Sequence, residues 1–403
     1  MEQKVCVVGL GYIGLPTALS LAANGAPVVG VDTNPVVLEE LLAGRLPFDE
    51  EGLPELLKAA RANIVFSKTC CECALYIVAV ATPYLSDTKK IDISQVAGAV
   101  KDVLRCCHDN AVIVVESTMP PGTTEKCIRP LLDGSGKNVR IAHAPERVSP
   151  GRMLVELTEN ARVIGADDPK VAEEVRALYS TFCKGEIMLT GIRTAEMTKV
   201  VENTYRDISI AFANELAKIC RQENIDVYNI IRLANMHPRV NILQPGPGVG
   251  GHCIPVDPWF LVGDYPALSP LIHEARKVND SMPEFVLQRI NYILREKCFA
   301  PSRVGLYGIS YKEDVDDVRE SPTLQLLKKV KSALGPDLPV FDPLTKPNLV
   351  ANQYVSFDEF LAASDLVVIM TAHRHIRENA GKLTGKAVLD TRHCITLEEV
   401  YNL

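Results

Sequence analysis

Apolar and polar positions alternate in blocks along the first hundred or so residues. Val5–Val8, Val28–Val31, Tyr76–Val80 and Val112–Val115 are short, nearly continuous apolar runs bounded by polar, Gly or Pro positions. Runs of this length, rich in β-branched residues, predict strands buried on both faces. Between them, Leu15–Ala23 and Pro54–Ala60 carry helical patterns. Strands alternating with helices predict a parallel sheet covered by helices on both sides.

The last hundred residues repeat the plan in the same order. Val304–Tyr307 matches Val5–Val8, and Val340-Phe341-Asp342-Pro343 matches Val29-Gly30-Val31-Asp32. Leu366–Met370 then matches Tyr76–Val80, and Val388-Leu389-Asp390-Thr391 matches Val115-Glu116-Ser117-Thr118. The stretch from about Thr194 to Asn279 lacks the alternation. Within it, Ala195–Glu223 has helix-forming composition with neither Pro nor Gly, which predicts one helix about 40 Å long. The expected fold class is α/β: two Rossmann-like parallel-sheet domains joined by a helical central domain with one long helix. The expected divisions are 1–193 for cofactor binding, 194–295 for the central domain and 296–403 for a second nucleotide domain. A long helix between two α/β domains is also a natural subunit contact, so a homodimer or higher homo-oligomer is expected.

Composition narrows the class. The 403 residues hold 43 Lys+Arg against 50 Asp+Glu, a net charge of −7, with 47% apolar and 23% charged residues. That supplies a sizeable core and argues against disorder. An acidic balance also argues against nucleic acid as a general partner, since phosphate contacts need a basic field. No apolar segment reaches the ~18–20 residues of a membrane span. The opening Met1-Glu2-Gln3-Lys4 leads straight into Val5 without a signal-peptide pattern, so a cytoplasmic protein with no membrane partner and reduced thiols is expected. Twelve cysteines are present. Cys70, Cys71 and Cys73 lack a second pair at metal-ligand spacing, so no metal is expected. They, with Cys106 and Cys107, are read as local packing beside a strand.

Two loops carry chemistry. Gly9-Leu10-Gly11-Tyr12-Ile13-Gly14 follows a predicted strand and opens a predicted helix. In that context Gly9 permits the tight turn, Gly11 lets a pyrophosphate approach the backbone, and Gly14 lets helix and strand pack closely. Asp32 ends the next strand, placed to accept from a ribose 2′-OH and to repel a 2′-phosphate, which favours NAD over NADP. Thr82 and Thr118 fall at the carboxyl ends of later strands, where ligands bind in such sheets and where ordinary polar residues also end strands. The second loop, Pro245–Pro258, holds four glycines and two prolines ahead of Cys253. Its backbone N–H groups suit an anion or a developing oxyanion. Pro255 is expected near the first turn of a following helix, whose positive end would favour a Cys253 thiolate.

These marks together resemble the UDP-glucose/GDP-mannose dehydrogenase family over essentially the whole chain. They are Gly9–Pro16, Glu116-Ser117-Thr118 with Pro120–Thr124, Ala144-Pro145-Glu146-Arg147, Ala195-Glu196 through Lys199 to Asn203, Gly250-Gly251-His252-Cys253, and Asp316–Pro322. The resemblance implies two NAD-dependent oxidations at C6 of a UDP-sugar, from alcohol to carboxylate. It implies Cys253 as the nucleophile that holds a thiohemiacetal and then a thioester. Lys199 and Asn203 would stabilise the oxyanion, Glu146 would act as acid/base in hydrolysis, and Thr118 and Asp257 would position water. Gly9, Gly11, Tyr12, Ile13, Gly14, Asp32, Thr82 and Thr118 would hold the cofactor. Arg147, Lys199, Asn203, Gly250, His252, Lys312, Arg319 and Arg392 would hold substrate, and Arg239 would reach the neighbouring subunit's substrate. Within the family, His237–Leu243 leading into Pro245–Trp259 is most similar to members that oxidise UDP-N-acetyl-D-mannosamine. UDP-glucose members usually carry Ser and Lys where this chain has His252 and Val256. UDP-N-acetylglucosamine and UDP-glucose stand as the alternatives.

Each residue also has an ordinary reading. Lys199 and Asn203, four apart, fit one solvated helix face. Glu146 beside Arg147 fits a surface ion pair, and Asp257 fits a helix cap. Lys312, Arg239 and Arg392 fit surface charges, and Arg319 among Asp316, Asp317 and Glu320 fits a local ion-pair network. Two other functions compete: a two-electron dehydrogenase, and a protein that binds both nucleotides without turnover.

Overall fold

A computed structural model describes residues 4–85, 87–333 and 337–403. The chain forms two compact units, Met1–Glu202 and Asn203–Leu403.

The first unit is built on eight strands: β1 (Val5–Val8), β2 (Val28–Val31), β3 (Ile64–Ser67), β4 (Leu75–Val78), β5 (Val112–Val115), β6 (Arg140–His143), β7 (Arg162–Ala166) and β8 (Ile187–Thr190). Their order is β3-β2-β1-β4-β5-β6-β7-β8. All neighbours pair in parallel except β6 against β7, so the parallel sheet expected here carries one antiparallel step. Side chains alternate between two buried layers. Val5, Val7, Ile77 and Val112 pack with Leu15 and Leu19 of the helix Gly14–Ala23. Cys6, Val8, Tyr76 and Val78 pack on the other face with Val96, Val100 and Val103 of the helix Ser94–Cys106. Burial on both faces is why the inner strands read as continuous apolar runs.

The second unit holds β9 (Val304–Tyr307), β10 (Val340–Phe341), β11 (Gln353–Tyr354), β12 (Leu366–Ile369), β13 (Ala387–Asp390) and β14 (Val400–Asn402), in the order β11-β10-β9-β12-β13-β14. Every pairing is parallel. One face packs on Val286, Ile290 and Ile293 of the helix Met282–Lys297 and on Leu326 and Val330 of Pro322–Ala333. The other packs on Phe357, Phe360 and Ile376.

The repeat read from the sequence is thus a repeat of topology. Strand order reverses between β1 and β4 in one unit and between β9 and β12 in the other, and ligands bind at the carboxyl ends of strands at such points. The two turns share geometry as well. Gly9 after β1 has φ +94° and Gly308 after β9 has φ +92°. Each N–H donates 2.8 Å to the last carbonyl of the adjacent strand, that of Val31 and of Phe341. The long helix runs Ile192–Gln222, 31 residues, three residues earlier at its start than the composition suggested.

Candidate active site

The cofactor loop divides its glycines between two tasks. A Cβ at Gly14 would lie 1.8 Å from the Gly9 carbonyl oxygen, and one at Gly9 2.7 Å from that of Ala79. These two glycines close the turn against β4. A Cβ at Gly11 would meet nothing within 4 Å, so Gly11 leaves open room ahead of the helix Gly14–Ala23. The Asp32 carboxylate fixes the turn, accepting from the N–H groups of Leu10 and Asn34 at 2.8 Å each. Tyr12 stacks on Phe48 with ring centroids 4.3 Å apart. An open glycine backbone, a helix N-terminus and an acidic residue at the end of β2 fit a dinucleotide with a free 2′-OH. Thr82 is buried, and Thr118 is half-buried just beyond β5.

Further along the same sheet, Glu146 proves buried at 6% exposure. Its ion-pair partner is the Arg162 guanidinium from β7 rather than the Arg147 side chain. The Arg147 N–H donates 2.6 Å to Glu146 Oε1, while the Arg147 guanidinium bonds Glu202 at 2.5 Å and the Ala161 carbonyl. Arg162 also lies 3.9 Å from Glu116 and stacks over the Tyr179 ring at 4.6 Å. The Tyr179 hydroxyl donates 2.6 Å to Glu116. Burial pushes the Glu116 carboxyl up to about 7, against the pull of Arg162. One guanidinium therefore sits between two buried carboxylates and holds Glu146 in place. Neither Arg162 nor Glu116 was singled out for this task in the sequence. The signal was present: an Arg opening an otherwise apolar strand needs a buried partner.

On the long helix, Lys199 and Asn203 are buried at 6% and 5% exposure, which excludes the solvated face. Glu196, on the same helix, accepts from Gly122 N–H at 2.5 Å and Thr124 N–H at 2.8 Å. It thereby tethers the Pro120–Thr124 segment.

In the second unit, the loop before Cys253 spends its glycines on close packing. A Cβ at Gly250 would lie 2.6 Å from Tyr311 Cβ, and one at Gly251 (φ +94°) 2.8 Å from the Tyr311 ring. A Cβ at Gly246 would lie 2.7 Å from the Arg392 guanidinium. The Gly251 N–H donates 2.9 Å to the Arg319 carbonyl, and the Gly246 N–H 2.8 Å to Asn214 Oδ1. These two N–H groups are therefore occupied by the fold. Asn214 is held in turn by Asn279 at 2.8 Å, and Asn279 by Asp207 at 2.8 Å. This buried relay was missed. Its trace is a set of polar residues on an otherwise packed helix face.

Cys253 is half-buried. Its carbonyl accepts from the Val256 and Asp257 N–H groups at 3.0 and 2.8 Å, just ahead of the helix Asp257–Asp264. Pro255 lies outside that helix, and Pro258 takes its first turn instead. Asp257 is 3% exposed and accepts 2.6 Å from Asn203 Nδ2, so it does more than cap. His252 and Lys312 are half-buried, while Arg239 and Arg392 are exposed. The Arg319 guanidinium makes a fork on Asp317, with contacts of 2.5 to 3.0 Å, the local ion pair anticipated for it.

Comparison with known proteins places these features in a family. The chain matches the UDP-glucose/GDP-mannose dehydrogenase family models for the NAD binding domain over 3–183, the central domain over 193–281 and the UDP binding domain over 305–397. It is 41% identical over 406 residues to UDP-N-acetyl-D-mannosamine dehydrogenase of Methanococcus maripaludis strain S2, covering 98% of this chain and 93% of that one. It is also 41% identical over 408 residues to NDP-N-acetyl-D-galactosaminuronic acid dehydrogenase of Ralstonia nicotianae, covering 97% and 96%. The solved UDP-N-acetyl-mannosamine dehydrogenase of Staphylococcus aureus superposes with a TM-score of 0.89 at 37% identity, covering 99% and 98%. Among the described residues, no helix is long and apolar enough to cross a membrane. The chain belongs to the UDP-glucose/GDP-mannose dehydrogenase family and is an NAD-dependent oxidoreductase of UDP-sugars.

Proposed function

We propose that this chain oxidises UDP-N-acetyl-D-mannosamine at C6 to the uronate, reducing two NAD⁺ and consuming one water. The observation that carries the substrate is the 41% identity, over 98% of the chain, to a protein named for that activity. NAD⁺ supplies the hydride acceptor for both oxidations.

After the first oxidation yields a C6 aldehyde, the Cys253 thiolate adds to it and gives a thiohemiacetal. Oxidation of that adduct gives a thioester, and water releases the carboxylate and frees the thiol. Covalent capture divides a hard step and retains the intermediate. Lys199 and Asn203 stabilise the oxyanion at C6. Glu146, pinned by Arg162, takes the proton of the attacking water. Thr118 and Asp257 position that water; the Asn203–Asp257 bond supports a shared task for those two residues. Lys312 and Arg392 hold the diphosphate, with Arg147, Gly250 and His252 along the sugar. Arg319, engaged by Asp317, contributes through its carbonyl bond to Gly251 as well as by charge. Arg239 serves the neighbouring subunit's substrate, so the working unit is a homodimer or larger. The three family spans support the division into NAD-binding, central and UDP-binding domains near 193 and 295.

The equal identity to the Ralstonia relative makes a sugar of the galactosamine series the second reading. The test is NADH yield from limiting UDP-N-acetyl-D-mannosamine, run beside UDP-N-acetylglucosamine, UDP-N-acetylgalactosamine and UDP-glucose. Two NADH per UDP-N-acetyl-D-mannosamine, with little from the others, is expected. Two from a different sugar would keep the chemistry and replace the substrate. One NADH per sugar throughout would end the four-electron reading.

A further inference from the structure

The first unit gathers thiols at the end of its sheet opposite the cofactor loop. Cys6 lies on β1, next to the amino end that Lys4 precedes, whereas Gly9 follows the carboxyl end. Cys70, Cys71 and Cys73 lie on the stretch entering β4, and Cys106 ends the helix Ser94–Cys106. Three elements distant in sequence thus deliver five sulfurs to one place. All of these are free thiols, and that of Cys6 interacts with those of Cys70 and Cys73, and that of Cys70 with Cys106. Cys71 Sγ and Cys73 Sγ are 3.8 Å apart. Among the described residues, no group of three or more His, Cys, Asp or Glu is arranged to hold a metal ion. The sulfurs are strung out as a chain, which suits pairwise chemistry.

The Cys71–Cys73 pair is built for that chemistry. Residues two apart on extended backbone point to the same side. The Tyr76 hydroxyl fixes this arrangement from both flanks: it accepts from Cys73 N–H at 2.8 Å and donates to the Cys71 carbonyl at 2.9 Å. Lys4 Nζ lies 3.3 Å from Cys71 Sγ, the more exposed sulfur, and pulls against the burial and the neighbouring Cys73 that together hold the Cys71 thiol above its ordinary value. Cys71 is half-buried and reachable, while Cys73 is 3% exposed behind it. The interaction with Cys6, outweighing burial, draws the Cys73 thiol below its ordinary value, which favours thiolate there.

We propose that Cys71 and Cys73 are a reversible redox-modification site whose co-reactant is a small-molecule disulfide. Cys71 loses its proton to solvent, and its sulfur attacks the external disulfide. One S–S bond breaks, one forms, and one small thiolate leaves. The Cys73 thiolate then attacks Cys71 Sγ and expels the second small thiolate. Two protein thiols are oxidised by two electrons, and one external disulfide is reduced to two thiols. Closing the pair takes the sulfurs from 3.8 Å to the ~2.05 Å of a disulfide.

The test exposes the full chain to graded ratios of oxidised to reduced glutathione. Samples are quenched in acid, alkylated, cut with trypsin and mapped by mass spectrometry. Trypsin releases Thr69–Lys89, which carries Cys70, Cys71 and Cys73. The expected product is that peptide lacking two hydrogens, with one alkylatable thiol left, restored by dithiothreitol. The exposed Cys298 should instead carry a glutathione adduct. Cys73→Ser should trap the adduct on Cys71, because the displacing thiolate is gone. Three alkylatable thiols on Thr69–Lys89 at ratios that load Cys298 would overturn the proposal. So would a crosslink to the Cys106 peptide in place of the internal bond. Zinc retained at one equivalent by the reduced chain in native mass spectrometry, and lost in the Cys71→Ser, Cys73→Ser double variant, would replace it with a metal site.

Discussion

Cys253 and Ser differ by one atom, yet the proposed chemistry separates them sharply. A serine hydroxyl is a far weaker nucleophile at neutral pH than a thiolate. Cys253→Ser should lower overall turnover by about 10³-fold or more, with NAD affinity unchanged in a fluorescence titration. Wild-type acid production from this variant would remove the covalent intermediate. Two buried residues of the first unit respond to pH in opposite senses. Burial drives the fully buried His143 down to about 3 and Glu116 up to about 7. As pH falls through 6.5, the unfolded chain takes up a proton at residue 143 that the folded chain refuses, so stability drops. As pH falls through 7 toward 4.5, folded Glu116 takes a proton that the unfolded chain takes only later, so stability rises. Between pH 7 and 5.5 the two effects offset. Wild-type unfolding by denaturant should therefore be nearly flat there. Glu116→Gln should lose about 1–2 kcal/mol of stability on acidification over that span, and His143→Gln should gain a similar amount. Parallel slopes in both variants would refute the assignment.

The cofactor turn separates packing from binding within six residues. Gly14→Ala drives a methyl into the Gly9 carbonyl at 1.8 Å, so the helix Gly14–Ala23 must shift from its strand and melting temperature should fall. Gly11→Ala meets no protein atom within 4 Å. It should leave melting temperature within a degree or two and still weaken NAD by about tenfold or more, because its methyl stands where the pyrophosphate approaches. Calorimetry and an NAD titration on both variants check this; a Gly11→Ala chain with unchanged NAD affinity would move the pyrophosphate elsewhere. This loop was legible because each glycine's duty follows from its spacing. β1, β2, β4 and β5 were legible because burial on both faces leaves a continuous apolar run, whereas β6 and β7 each open on an Arg and were not read as strands. β3 and β8 were not: they are edge strands with mixed exposure, and in Ile64-Val65-Phe66-Ser67 only Ile64 is buried while Val65 is 60% exposed. The antiparallel step at β7 left no mark, since pairing direction depends on the connection rather than on side-chain pattern. The glycines before Cys253 announced a close approach, but the partner, Tyr311, lies some sixty positions away in sequence and only the fold names it. Glu146 was singled out by its motif, with a surface ion pair to Arg147 as its ordinary reading. Its real partner, Arg162, sits on another strand.

At the scale of the whole molecule, the long helix leaves apolar surface that one chain does not cover. Tyr205, Phe212 and Ile219 are 69%, 53% and 53% exposed, and they stand seven residues apart. That spacing returns to nearly the same face every two turns. Val201, 44% exposed, continues the stripe one turn toward the amino end. A helix face of this kind is a self-association surface when a second copy presents the same stripe, since a two-fold contact needs only one self-complementary patch. The native protein should therefore sediment as a dimer or larger at micromolar concentration. Phe212→Asp with Tyr205→Glu places two carboxylates in each half of that contact, and sedimentation velocity should then show monomer. Arg239 adds a second readout. It is exposed in the isolated chain and is assigned to the substrate of the neighbouring subunit. The monomeric variant should bind NAD normally through its own first unit while its turnover falls with that of Arg239→Ala. A monomeric variant with full turnover would return Arg239 to its own chain's site, and a monomeric wild type would leave the apolar stripe without a partner of its own kind.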